Sequence, residues 1–180
     1  MKITAALLRK HKACKQIERF TKVYPNGIEA NGENAILLAA EGFDVLWATR
    51  LLPREGPKSQ RAFALWCAEQ VAYLNTNPRV KKCLKTVRRE ILRPGSQNLT
   101  AAACVATQAI QNARHAVAEN VARAVHAATR ASAYDIAWAA YEAAWASCND
   151  AGDTVYIRDA AYSAKWESQI FMLGEMLSGV

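Results

Sequence analysis

Between Ala133 and Ser147 the chain reads AYDIAWAAYEAAWAS, and few folds can accommodate that stretch. Tyr134, Trp138, Tyr141 and Trp145 recur at i, i+4, i+7 and i+11. At about 100° per residue they fall within roughly 60° of one helix face, whereas in a strand they would be scattered over both faces. Asp135 and Glu142 are expected on the opposite side. The intervening alanines are strong helix formers and let a second helix approach closely. Such a stripe is expected to pack into a core of small residues. The other reading is an exposed aromatic ladder that meets a partner or stacks bases.

The same helical spacing recurs along the rest of the chain. Thr4 is a candidate N-cap for a short helix to about His11, and a second helix is expected from Ala13 to Tyr24, ended by Pro25-Asn26-Gly27. A helix from Glu33 to Glu41 stops at Gly42, and another from Asp44 to Leu52 is closed by Pro53. The segment Pro53–Lys58 is a loop. Ser59 caps a helix to Leu74, and Asn77-Pro78 starts one that runs to Arg93. After Pro94-Gly95-Ser96 the pattern predicts one long helix from Thr100 to Arg130, then the aromatic helix from Ser132 to Cys148. A loop at Asn149–Thr154 precedes a last helix from Ile157 to Leu177. No strand of more than a few residues is expected. The fold class is therefore all-α: a bundle of about 7–8 helices, with a short-helix head over 1–95 and an alanine-rich bundle over 96–180, as two domains or one continuous one.

Apolar residues make up 52% of the chain, which suits a globular domain, but much of that is alanine and buries little area per residue. Five cysteines (Cys14, Cys67, Cys83, Cys104 and Cys148) are spread out with no CxxC pair, against a zinc ribbon or a redox motif. Cys83, Cys104 and Cys148 lie in helical apolar pattern and read as small buried hydrophobes. No secretory pattern and no run of 18 uncharged apolar residues is visible, so a cytoplasmic location away from the membrane is expected.

The net charge of +7 admits an anionic partner. Its densest expression is the helix from Pro78 to Arg93. Val80, Leu84, Val87 and Ile91 line one face; Lys82, Lys85, Arg89 and Arg93 line another, with Lys81 and Arg88 at its shoulders and only Glu90 to break it. That row could contact phosphates or an acidic protein surface, or it could be a solvated outer face. It carries no Asn or Gln, so contact with nucleic acid would be to the backbone and sensitive to salt.

Catalytic and metal motifs find little footing. His11 and Cys14 make at most two ligands among lysines. His115 and His126 are about 16 Å apart along a helix and, with Glu119 between them, read as a polar face. The loop Asn149–Thr154 lacks the carboxylates of a calcium loop. There is no G-x-S-x-G and no Gly-rich phosphate loop. No catalytic residue, metal or cofactor is assigned, and a non-enzymatic protein is expected.

The stretches LLRKHKAC, Pro25-Asn26-Gly27, EGFDVLWATRLLP at Glu41–Pro53, AWAAYEAAWA at Ala137–Ala146 and KWESQIFMLGEML near the end together resemble uncharacterised alanine-rich helical proteins of bacteriophages and phage-related bacterial loci. The resemblance covers both ends of the chain but not residues 55–99. It implies a phage context with action on a host defence or host enzyme, and no chemistry. The expectation is an interaction protein that modulates a host protein or protein–nucleic acid complex through Lys81, Lys82, Lys85, Arg88, Arg89 and Arg93. Sequence-nonspecific nucleic-acid binding by the same face is the alternative. Self-association as a homodimer is also compatible with the aromatic stripe.

Overall fold

Polar side chains start the helices where their spacing leads one to look. Thr4 Oγ1 accepts from the Leu7 amide at 3.2 Å, Ser59 Oγ from Ala62 at 3.1 Å and Asn77 Oδ1 from Arg79 at 3.0 Å. Asn31 and Asn98 cap two further helices in the same way. The computed structural model describes residues 1–11, 16–53, 59–113, 115–130, 133–150 and 155–178, with all their side chains except those at 133, 134, 136, 137, 148, 150 and 155–160. Among them it has nine α-helices: α1 (Ala5–Lys10), α2 (Ile17–Val23), α3 (Gly32–Ala40), α4 (Gln60–Glu69), α5 (Pro78–Leu92), α6 (Leu99–Gln111), α7 (Ala116–Arg130), α8 (Ala133–Asp150) and α9 (Val155–Ser178). The one sheet pairs β1 (Lys2–Ile3) with β2 (Ile28–Glu29), antiparallel, two residues each. The fold is all-α, as the spacing predicts.

Three expected helices differ. The stretch over 100–130 is two helices, because Asn112 ends α6 and His115 begins α7, its Nδ1 accepting from the Ala118 amide at 3.3 Å. The segment after Gly42 forms a 3-10 helix over Leu46–Leu51, and the extended Leu52 before Pro53 ends it. The helix from Ser59 stops at Glu69, and Ala72–Leu74 is a 3-10 turn. Of the three cysteines read as buried, Cys83 is buried, Cys104 is exposed on α6, and the Cys148 side chain lies outside the described residues, as does Cys14.

Contacts group the chain into two compact units, residues 1–52 with 170–180, and residues 53–169. The division expected near residue 95 does not coincide with this grouping: α5 packs on α6, so the basic helix belongs with the alanine-rich helices.

In the first unit the core gathers Leu8, Phe20, Leu38, Phe43, Val45, Leu52, Ile170, Leu173 and Leu177. Phe20 meets Phe43 edge-on with centroids 5.9 Å apart, and the Arg19 guanidinium lies 4.9 Å over the Phe43 ring. The start of α3 lies against the last turns of α9, where two glycines permit the approach. The Gly32 amide donates to Glu175 Oε1 at 2.9 Å, supplementing the Asn31 cap with a carboxylate. A Cβ on Gly174 would lie 2.2 Å from the Asn31 carbonyl oxygen.

In the second unit α7 packs on α8 and α6, and α4 packs on α7 and α8. The buried residues are mostly small: Ala122, Ala124, Ala127 and Ala128 of α7, beside Val121 and Val125, with Ala139, Ala140, Ala143 and Ala144 of α8. Alanine faces bring helix axes toward the short end of the usual 8–10 Å range, so contact density replaces area per residue.

Because its Cβ would meet backbone, Gly174→Ala is predicted to lower unfolding free energy in urea by about 1–3 kcal/mol. Gly95→Ala has nothing within 4 Å and only a φ of 78° to oppose it. Its cost should stay near about 1 kcal/mol.

Candidate functional site

α5 is sharply two-sided because its apolar residues recur at helical spacing. Val80, Cys83, Leu84 and Val87 are buried, and the Cys83 thiol donates to the Ala102 carbonyl of α6 at 3.3 Å. With that face buried, Lys81, Lys82, Lys85, Arg88 and Arg89, and Arg93 just past the helix end, are exposed. Lys82, Lys85, Arg89 and Arg93 recur over about 16 Å of helix axis. The structure thus brings together the six cations that the sequence singles out, and separates one from the rest. Arg88 is tied to Glu69 of α4 at 2.6 Å. Among the described residues no ion pair engages the other five.

Glu90, the one acid of the helix, does not neutralise the row. Its Oε1 accepts from the Gly95 amide at 2.7 Å and its Oε2 from Gln97 at 2.9 Å, closing the Pro94-Gly95-Ser96 turn. Those amides hold the Glu90 carboxyl below its usual range. Beside the row, α5 and α6 enclose a groove of about 240 Å³ lined by Lys82, Thr86, Gln97, Asn98, Ala101 and Val105 among others. Sequence reading found no amide on the charged face. The turn into α6 supplies two, Gln97 and Asn98, and the only advance sign was the polar run after Pro94.

The aromatic stripe faces the other way from the expectation. Trp138, Tyr141 and Trp145 are 38, 37 and 38% exposed, while Ala139, Ala140, Ala143, Ala144 and Ala146 are fully buried. The alanine face, not the aromatic face, enters the core: only it lets α4 and α7 come close. Tyr134 lies on α8, but its side chain is outside the described residues. The rings pack on one another instead. Trp138 stacks on Tyr141 at 5.2 Å, Tyr141 meets Trp145 at 6.0 Å, and Trp145 meets Tyr162 of α9 at 5.7 Å. Tyr162 then stacks on Trp166 at 6.1 Å with 12° between the planes. Sequence reading left Tyr162 and Trp166 out of the stripe, although their i, i+4 spacing repeats that of Trp138.

No family model matches this chain, and no curated protein or solved structure matches it either.

Between the alanine face and the ladder lies a polar seam. Glu142 is not opposite the stripe but on its flank, about 80° round the helix, and only 5% exposed. The Trp138 side chain, whose only donor is the indole N–H, sits one turn earlier and favours the ionised carboxylate. From α7, Arg123 acts on Glu142 while donating to Glu119 at 2.6 Å. Two turns further, Arg130 reaches Asp135 at 3.6 Å, and burial with the Arg130 charge lowers the pKa of His126. The polar face expected for Glu119 and His126 is therefore half-buried in the α7–α8 contact. Burial pushes Glu142 from 4.5 up to about 7, against the pull of Arg123 and the indole. Among the described residues no three His, Cys, Asp or Glu side chains gather as a metal site, and no helix is long and apolar enough to cross a membrane.

The folded-state value of Glu142 exceeds the unfolded one. Its favourable contribution is present below pH 4.5, declines as pH rises to about 7, and is flat above that. The shift corresponds to about 3 kcal/mol at most. Glu142→Gln removes that dependence. Urea unfolding should show the variant gaining about 2–3 kcal/mol relative to the native chain between about pH 5 and pH 8. Parallel pH profiles would contradict this account of the seam.

Proposed function

We propose that this chain is a non-enzymatic helical interaction protein that binds a macromolecule carrying an acidic surface through the outer face of α5. One observation carries the reading: among the described residues Lys81, Lys82, Lys85, Arg89 and Arg93 stand exposed without ion-pair partners, while Glu90 is occupied by its own turn. Like charges gathered on one helix cost conformational stability, and a partner of opposite sign offsets that cost and speeds encounter. Arg88 contributes as a tether to α4. The ladder supplies a second surface of rigid rings, exposed at Trp138, Tyr141 and Trp145, the residue types that dominate binding energy at interfaces.

The phage resemblance of the N-terminal and C-terminal stretches gives this reading its context: a phage-encoded protein of the bacterial cytoplasm that inhibits a host protein or protein–nucleic acid complex. A second reading is favoured by the groove beside Lys82, whose hydroxyl and amide groups suit phosphate and sugar contacts. In it the same face binds nucleic acid without sequence preference.

Retention from a bacterial lysate, with and without nuclease, separates the two. For the interaction protein, a host protein is retained after nuclease treatment and lost when Lys82, Lys85, Arg89 and Arg93 are all changed to Glu. For the nucleic-acid binder, retention disappears with nuclease. Affinity for random duplex would then fall with salt at a slope of about 4 in log–log terms, and the charge-reversed variant would remove the binding. Retention unchanged by charge reversal would exclude the α5 face from both readings.

A further inference from the structure

The groove between α5 and α6 offers a ligand a fixed set of contacts, because the neutral polar residues lining it already have one end engaged. Thr86 Oγ1 donates to the Lys82 carbonyl at 3.1 Å, so its proton is used and its lone pair is left. Asn98 Oδ1 accepts from the Ala101 amide at 2.9 Å as the cap of α6, which leaves Nδ2 to donate. Gln97 Nε2 donates to the Ser96 carbonyl at 2.8 Å and leaves Oε1 to accept. The Lys82 ammonium is exposed and, among the described residues, enters no ion pair. Two donors, one of them a cation, thus share the groove with two acceptors. The rest of its lining is apolar and includes Ala101 and Val105. Glu90 bonds to the backbone amide of Gln97 and is not among the lining residues.

That set selects a class of ligand. An inorganic anion satisfies Lys82 and Asn98 but leaves both acceptors and the apolar wall unmatched. An uncharged sugar matches the acceptors and leaves the cation unused. A phosphorylated sugar matches all of them: its phosphate oxygens accept from Lys82 Nζ and Asn98 Nδ2, its hydroxyls donate to Gln97 Oε1 and Thr86 Oγ1, and its carbons cover Ala101 and Val105. We propose that the α5–α6 groove is a binding site for a single sugar-phosphate unit, held by Lys82 and Asn98 at the phosphate and by Gln97 and Thr86 at the hydroxyls. At about 240 Å³ the groove lies below the about 300–1,000 Å³ of pockets that take drug-sized ligands, which suits one such unit. The site rests on the groove of the nucleic-acid reading and narrows what it recognises, whereas the row of cations attracts any anion along its length. The unit has two sources, a free sugar phosphate or one residue of an RNA strand, which keeps its 2′-hydroxyl.

The test is a ¹⁵N NMR titration of the full chain with ribose 5-phosphate at about 0.15 M salt, read at the side-chain amide signals of Gln97 and Asn98. Saturable shifts at both are expected, with inorganic phosphate and ribose each binding at least about tenfold more weakly, since each lacks part of the contacts. Asn98→Asp keeps the cap but replaces the Nδ2 donor with a negative acceptor, and should weaken ribose 5-phosphate at least about tenfold. Ala101→Leu changes no charge, fills space at an exposed position of the wall, and should weaken it similarly. Inorganic phosphate bound as tightly as ribose 5-phosphate, shifts missing from Gln97 and Asn98, or binding that survives both substitutions would overturn the site. A short oligouridylate identifies the source: displacement of ribose 5-phosphate assigns the groove to an RNA residue, and no displacement assigns it to the free sugar phosphate. Retention from lysate that is lost on charge reversal, with no ribose 5-phosphate bound, removes the groove site and leaves the α5 face reading standing. Saturable ribose 5-phosphate binding with nothing retained from lysate does the reverse.

Discussion

The close approach of α7 and α8 through their alanines is the constraint on which the rest of the second unit depends. Side chains of one carbon cannot fill the space between helices at ordinary separation, so the helices must come together until backbones and methyls are in contact. Among the described side chains buried on the two helices, only Val121, Val125, Thr129 and Glu142 are larger than alanine. The rings of α8 are displaced to the outside, where they recover contact by stacking on each other and on Tyr162 and Trp166 of α9. The polar residues of α7 are squeezed to the edge of the contact, where Arg123, Glu119 and Glu142 form the seam. Ladder and seam are two results of one packing choice.

The basic face arises from a different balance. α5 buries Val80, Cys83, Leu84 and Val87 against its neighbours, and its lysines and arginines are left on the outer face. Five cations share that outer face, and the helix's single acid is spent on the turn that follows. An alanine-rich interior contributes modest apolar area per residue, so uncompensated charge repulsion weighs more heavily here than in a core of large aliphatic side chains. This gives the α5 face a physical reason to associate with an oppositely charged surface.

Much of this was legible in the sequence where local chemistry decides the outcome. Thr4, Ser59 and Asn77 cap the helices their spacing indicates, and the two faces of α5 follow from periodicity alone. The break after Gln111 was not, because Asn112 and His115 sit in an otherwise helical pattern and stop it through local hydrogen bonds that periodicity does not weigh. The direction of the aromatic stripe was not legible either. Two faces of one helix competed for the core, and hydrophobicity favours the rings while closeness of approach favours the alanines. Only the partner surface settles that competition, and α7 offers alanines. The place of Glu142 on the flank of the stripe, about 80° from Tyr134, follows from spacing, whereas its burial does not.

The most direct test of this account is a comparison of two substitutions on α8 by urea unfolding. Ala143→Leu inserts three carbons into the α8 face that enters the core, and Trp145→Leu shortens a ring on the half-exposed ladder. If alanine closeness holds the unit together, Ala143→Leu lowers unfolding free energy by about 3 kcal/mol and Trp145→Leu by about 1 kcal/mol or less. The opposite order, with the loss of the indole costing more than the overpacked alanine, would mean that the rings carry the core and would contradict the account.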